Sequence, residues 1–110
     1  MIAVIGLVVG MIAGLALQPE VPAFLAPYLP IAVIAALDAL MGGLRAKLDG
    51  MFDDKVFLVS FLSNTVIAAF IVFLGDQLGV GSQMSTGVVV VLGIRIFSNS
   101  AAIRRHLFKA

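Results

Sequence analysis

The chain has 110 residues, of which 62% are hydrophobic and only 12% charged, with a mean hydropathy of +1.18 and a net charge of +1. A small soluble domain needs roughly 25–35% charged residues on its surface, and here the few charges gather in patches between long uncharged runs, so the composition excludes a water-soluble globule and indicates an integral membrane protein of one domain, residues 1–110. Cysteine is absent, which removes disulfides, thiolate metal sites and thiol nucleophiles, and no basic residue precedes Arg45, an asymmetry that speaks for membrane topology and against nucleic-acid binding.

Met1 to Leu17 is an unbroken apolar run at the lower limit of the roughly 17–25 residues a spanning helix needs. A cleaved signal peptide would want a positive start and a small-x-small cleavage site, and the run has neither a Lys or Arg nor an Ala-x-Ala before Gln18, so it reads as an uncleaved first helix. Within it Gly6, Gly10 and Gly14 recur every four residues and share one helix face. Such a glycine zipper lets another backbone come close in lipid, where no hydrophobic force drives helices together. A neighbouring helix of the same chain is the first expected occupant, a second copy the next.

Gln18 to Pro30 carries Pro19, Pro22, Pro27 and Pro30, with Glu20 its only charge. Prolines break helices and remove amide donors, so this is read as a tight external connection with Phe24 and Tyr28 at interfacial depth. Pro30 can open the second helix, about 28–44, in its first turn.

Arg45 to Lys55 then holds three basic and three acidic residues, too many for the bilayer, and Gly42, Gly43 and Gly50 are expected to loosen the helix as it leaves. The third helix is expected over about 56–74. Gly75 to Gln83 is a turn whose glycines lack the Lys and Ser/Thr of a phosphate loop. The fourth helix is expected over about 84–103, followed by a basic tail, 104–110. Lys and Arg fall only in the second loop and the tail, apart from Arg95. The positive-inside rule therefore predicts an all-α, four-helix polytopic protein of the bacterial cytoplasmic membrane with both termini inside.

Asp38 is the sharpest candidate, because a carboxylate deep in a membrane helix costs about 2.5–3.5 kcal/mol on insertion scales and usually faces a partner or water. Arg95 offers that partner. If the second helix starts near Ala26 and the fourth near Met84, each residue lies about twelve positions in, and at about 1.5 Å per residue they share a depth. An intramembrane Asp38–Arg95 pair is expected, first as a packing device and second as a proton or ion relay. Ser60 and Asn64 fall on one face of the third helix with Ala68 and suit helix packing through interhelical hydrogen bonds.

His106 is the only histidine and has no second ligand at a metal-binding spacing, so neither metal nor cofactor is expected. Arg45 and Lys47, with Arg104, Arg105 and Lys109 in the tail, read as cytoplasmic basic groups facing anionic lipid headgroups. Asp53 and Asp54 are adjacent, so on a helix they point about 100° apart and form no catalytic dyad. A weak echo of Gly43-Leu44-Arg45 in Gly93-Ile94-Arg95 is too slight to establish a duplication.

Seven segments stand in one order: Pro27-Tyr28-Leu29-Pro30-Ile31-Ala32, Leu37-Asp38-Ala39, Gly42-Gly43-Leu44-Arg45, Phe52-Asp53-Asp54-Lys55-Val56-Phe57, Ser60-Phe61-Leu62-Ser63-Asn64, Leu74-Gly75-Asp76-Gln77-Leu78-Gly79 and Gly93-Ile94-Arg95-Ile96-Phe97-Ser98-Asn99. Together they resemble the bacterial small basic membrane protein family, and Asn99 to Lys109 resembles its actinobacterial form. The resemblance implies a membrane protein of unknown function, encoded near cell-division and cell-wall genes, and it brings no catalytic residue with it.

The expected function is therefore non-enzymatic: oligomerisation, or docking with another membrane protein of the division or envelope machinery, through the glycine stripe and the Arg45–Lys55 loop. The alternative is a small oligomeric transporter or channel subunit that couples protons or cations through Asp38.

Overall fold

A computed structural model describes residues 1–17 and 20–110. The expected helix break at Pro19 and the start of the connection at Gln18 lie outside the described residues. Among the described residues the chain is all-helical, with α1 over Ile2–Leu17, a 3-10 turn at Ala26–Tyr28, α2 over Leu29–Leu48, α3 over Asp54–Gln77 and α4 over Gly81–Phe108. Three of these, α3, α4 and α2 with its leading 3-10 turn, are long and apolar enough to cross a membrane. The first, α1, is apolar throughout but has only 16 residues, about 24 Å of helix against a hydrocarbon core about 30 Å thick.

Helices α2, α3 and α4 pack against one another, and α1 lies across α3 and α2 with fewer contacts. The bundle measures 45 × 28 × 23 Å. Ile31, Ala68 and Val72 form its buried centre, with Tyr28 and Val88 packed against them. Many other apolar side chains face outward: Val59, Val66, Phe70, Val91, Ile94 and Phe97 are all exposed. So apolar an exterior suits a lipid solvent, which solvates Val, Ile and Phe well and leaves packing between helices to hold them together.

Helices α2, α3 and α4 each run past the end expected from charge alone, while α1 ends at Leu17 as expected. Arg45 to Leu48 are good helix formers, and a boundary between lipid and water does not stop a helix. What stops α2 is Gly50, whose positive φ of 75° closes a Schellman motif: Met51 N–H donates to the Ala46 carbonyl at 2.9 Å and Gly50 N–H to that of Lys47 at 3.2 Å. Gly42 and Gly43 are therefore interior helical residues and do not loosen the exit. The same motif ends α3, where Gly79 has φ 79° and Val80 N–H donates to the Gly75 carbonyl at 2.8 Å. At the other end Asp53 starts α3 two residues earlier than expected, its Oδ1 accepting from Lys55 N–H at 2.8 Å and Val56 N–H at 3.3 Å.

The turn between α3 and α4 is tight enough that a Cβ on Gly81 would run into the Asp76 carboxylate, and α4 begins there, three residues before Met84. It continues through the basic tail to Phe108, so Arg104 and Arg105 sit on helix and only Lys109, with φ 57°, leaves it. The basic tail expected over 104–110 is thus helical as far as Phe108, since nothing in Ala101–Phe108 disfavours helix.

Candidate functional site

Helix direction follows from three contacts. The Met1 amino group donates to Asp54 at 2.9 Å, His106 Nε2 lies 2.7 Å from the Leu48 carbonyl oxygen, and Arg45 Nη1 donates to Asn99 Oδ1 at 3.2 Å. The starts of α1 and α3 and the ends of α2 and α4 thus share one end of the bundle. That end carries Arg45, Lys47, Lys55, Arg104, Arg105 and Lys109, every Lys and Arg except Arg95. Among the described residues, the opposite end carries only Glu20 and Asp76 as charged side chains.

The two neighbouring acids divide the work of starting helices at this end. Asp53 caps its own helix, while Asp54 reaches across to α1, accepting from Ala3 N–H at 3.1 Å as well as from the amino group of Met1. Both sit where amide donors point outward and the helix dipole favours negative charge. An acidic pair directly ahead of an apolar run is the sequence signal for one such cap. The second role depends on α1 lying alongside and has no local signature. Asn99 and the Leu48–His106 contact were likewise missed, since each joins residues more than fifty positions apart.

Midway along the bundle Arg95 Nη2 stands 3.3 Å from Asp38 Oδ2. Both belong to one chain, so the contact does not need a second copy. Asp38 is only 3% exposed, whereas the Arg95 side chain is 51% exposed. Among the described residues, Asp38 Oδ1 has no hydrogen-bond partner. A seam of polar contacts follows the α2–α4 packing from this pair towards the basic end, through Arg45 and Asn99 to Leu48 and His106. Arg45 also faces Asp49 at 3.9 Å, one turn on.

Asp38 and Arg95 line a cleft of about 200 Å³ between the helices, together with Ser60 and Asn64 from α3; Met51, Phe52 and Asp53 stand at its basic end. Ser60 is exposed and Asn64 half-buried. Among the described residues, no three His, Cys, Asp or Glu side chains stand together in a way that could hold a metal ion.

Gly6, Gly10 and Gly14 line a separate apolar groove of about 650 Å³, whose other wall is Leu29, Ala32, Val33 and Ala36 of α2. A Cβ built on any of the three glycines meets nothing within 4 Å. The chain's own helices therefore leave the stripe uncovered, and the close intramolecular approach expected from its spacing is not made.

Comparison with known proteins gives matches along nearly the whole chain. A family model described as a protein of unknown function, DUF1290, matches residues 21–108. An uncharacterized protein of Mycobacterium tuberculosis is 61% identical over 110 residues, covering 100% of this chain and 91% of the relative, and an uncharacterized protein of Mycobacterium bovis matches to the same degree. A Bacillus subtilis protein named "Small basic protein" is 42% identical over 104 residues, covering 94% of this chain and 84% of the relative. No solved structure matches.

Proposed function

The chain belongs to the DUF1290 family of unknown function, and from that premise we propose that it is a non-enzymatic, multi-pass protein of the bacterial cytoplasmic membrane that acts by binding another transmembrane helix. The uncovered glycine stripe carries this reading. Three side-chain-free positions at one-turn spacing face open space, in an apolar groove large enough to receive side chains from a partner helix. A stripe that served only the internal packing of α1 would be filled by a neighbouring helix of the same chain. The partner is a second copy of the chain or another membrane protein, and the resemblance noted above makes the division and envelope machinery the first place to look.

Gly10→Leu separates the two roles. The Cβ it adds at the middle of the stripe meets no group of its own chain within 4 Å, and the groove has room for the rest of the side chain, so helix content and thermal midpoint should stay as they are. The complex isolated from native membranes in mild detergent should fall in mass to that of the single chain. A complex that keeps its mass in Gly10→Leu would remove the stripe from the partner contact.

The same reading has all four helices crossing the bilayer with both termini and the Arg45–Lys55 segment in the cytoplasm, supported by six basic residues at one end and none at the other. Because the chain has no cysteine, the single variant Lys47→Cys gives a clean report. Its thiol should resist membrane-impermeant maleimide in intact cells and react fully after permeabilisation. Labelling from outside would reverse the orientation.

A further inference from the structure

We propose that the cleft beside Asp38 is a binding site for a small monovalent cation that donates hydrogen bonds, of the ammonium or short primary alkylammonium class, entered from the end of the bundle that bears the Arg45–Lys55 segment. The docking role does not use this cleft, and the inference does not depend on that role.

Arg95 occupies one carboxylate oxygen of Asp38, at 3.3 Å, while the residue as a whole is 3% exposed. The other oxygen, Oδ1, has no donor among the described residues. Buried polar atoms are almost always satisfied, and one that the chain leaves open calls for a donor from elsewhere. Asp38 lines a cleft whose volume of about 200 Å³ far exceeds the roughly 10–15 Å³ that a single water requires; Oδ1 itself is turned away from that space, so binding requires a rotation of the carboxylate into the cleft.

The lining selects the class of ligand. Among the side chains that line the cleft, Asp38 and Asp53 set two negative charges against the single positive charge of Arg95, while Arg45, Lys47 and Lys55 of the same end do not line it, so the lining favours a monovalent cation over an anion. Ser60 and Asn64 add oxygen acceptors along the α3 wall, and Phe57 and Phe61 offer ring surface that tolerates a short alkyl stem and attracts a cation. Divalent cations fit poorly, because calcium and magnesium ask for six or more oxygen ligands, and no cluster of that kind stands here among the described residues. On the α2 side the wall is Ala39, Gly42 and Ala46, small residues that keep the path from the Met51–Asp53 mouth to Asp38 open.

The test uses the full chain in liposomes and two single-cysteine variants. Ala39→Cys puts a thiol on the cleft wall; Ile94→Cys puts one on the exposed outer surface next to Arg95, where Ile94 is 64% exposed. The small cationic reagent aminoethyl methanethiosulfonate should modify Ala39→Cys at least tenfold faster than Ile94→Cys. Methylammonium in the buffer should slow that reaction several-fold. The protection should disappear when Asp38→Asn and Arg95→Gln are added together, a pair of changes that removes both charges at once. It should also weaken in Ser60→Val, which leaves the ion pair intact and keeps the test valid if the double change fails to fold. A rate at Ala39→Cys no higher than at Ile94→Cys, a rate that methylammonium leaves unchanged, or protection that survives in both altered backgrounds would each overturn the proposal.

Discussion

Replacing Arg95 by alanine is expected to destabilise the bundle by about 3 kcal/mol, the lower end of the loss seen when a buried charge is left without its partner, because only the Asp38 side of the pair is buried. The stranded group is Asp38, 3% exposed and midway along α2, with Oδ1 already lacking a partner among the described residues. The opposite change should be milder. Asp38→Asn leaves Arg95, whose side chain is 51% exposed and long enough to carry its charge towards water or headgroups. Replacing both residues by leucine should recover most of the loss, because apolar side chains of similar volume do as well as a buried ion pair or better. Unfolding by detergent titration from mixed micelles, carried through the double-mutant cycle, gives the coupling directly. Equal losses in the two single variants that add without coupling would mean that the 3.3 Å contact does not hold the helices together.

The helical architecture and the proximity of Asp38 and Arg95 are legible in the sequence for the same reason: both follow from distance along an apolar helix. Depth counting works because rise per residue is fixed and a lone charge in lipid must be accounted for. The ends of the helices are harder to read. Charged residues mark where lipid stops, whereas a helix stops where a left-handed residue closes its last carbonyls, and that falls to Gly50 and Gly79. The glycine stripe was visible as a pattern, but spacing alone cannot say which helix fills it, and here the other helices of the chain leave it open. The contacts of Asp54 with α1 and of Arg45 with Asn99 could not be found from sequence, because each depends on which helices become neighbours.

Gly43→Ala should destabilise the fold by about 1–3 kcal/mol, the usual range for forcing extra volume into a packed site, even though alanine gains roughly 1 kcal/mol over glycine in helix propensity. A Cβ at Gly43 would stand 2.9 Å from Phe57 Cε2 and 3.0 Å from its Cδ2, with Phe52 Cε2 at 3.4 Å. Moving the Phe57 ring aside has a cost, since it is 8% exposed and packs against Phe52 with ring centroids 5.8 Å apart. The neighbouring glycine supplies the control. At Gly42 the nearest atom is Asn99 Nδ2 at 3.6 Å, an ordinary contact, so Gly42→Ala should be neutral or stabilising. Adding Phe57→Leu to Gly43→Ala should return part of the loss, since a leucine leaves room where the ring edge stood. The same detergent titration decides it, and equal stabilities for the two alanine variants would sink the argument. Phe52 and Phe57 also line the cleft that reaches Asp38, so a ring pushed away from α2 should change the labelling rate of Ala39→Cys as well. A stability loss with that rate unchanged would mean that the packing of α2 on α3 and the path to the buried carboxylate are independent.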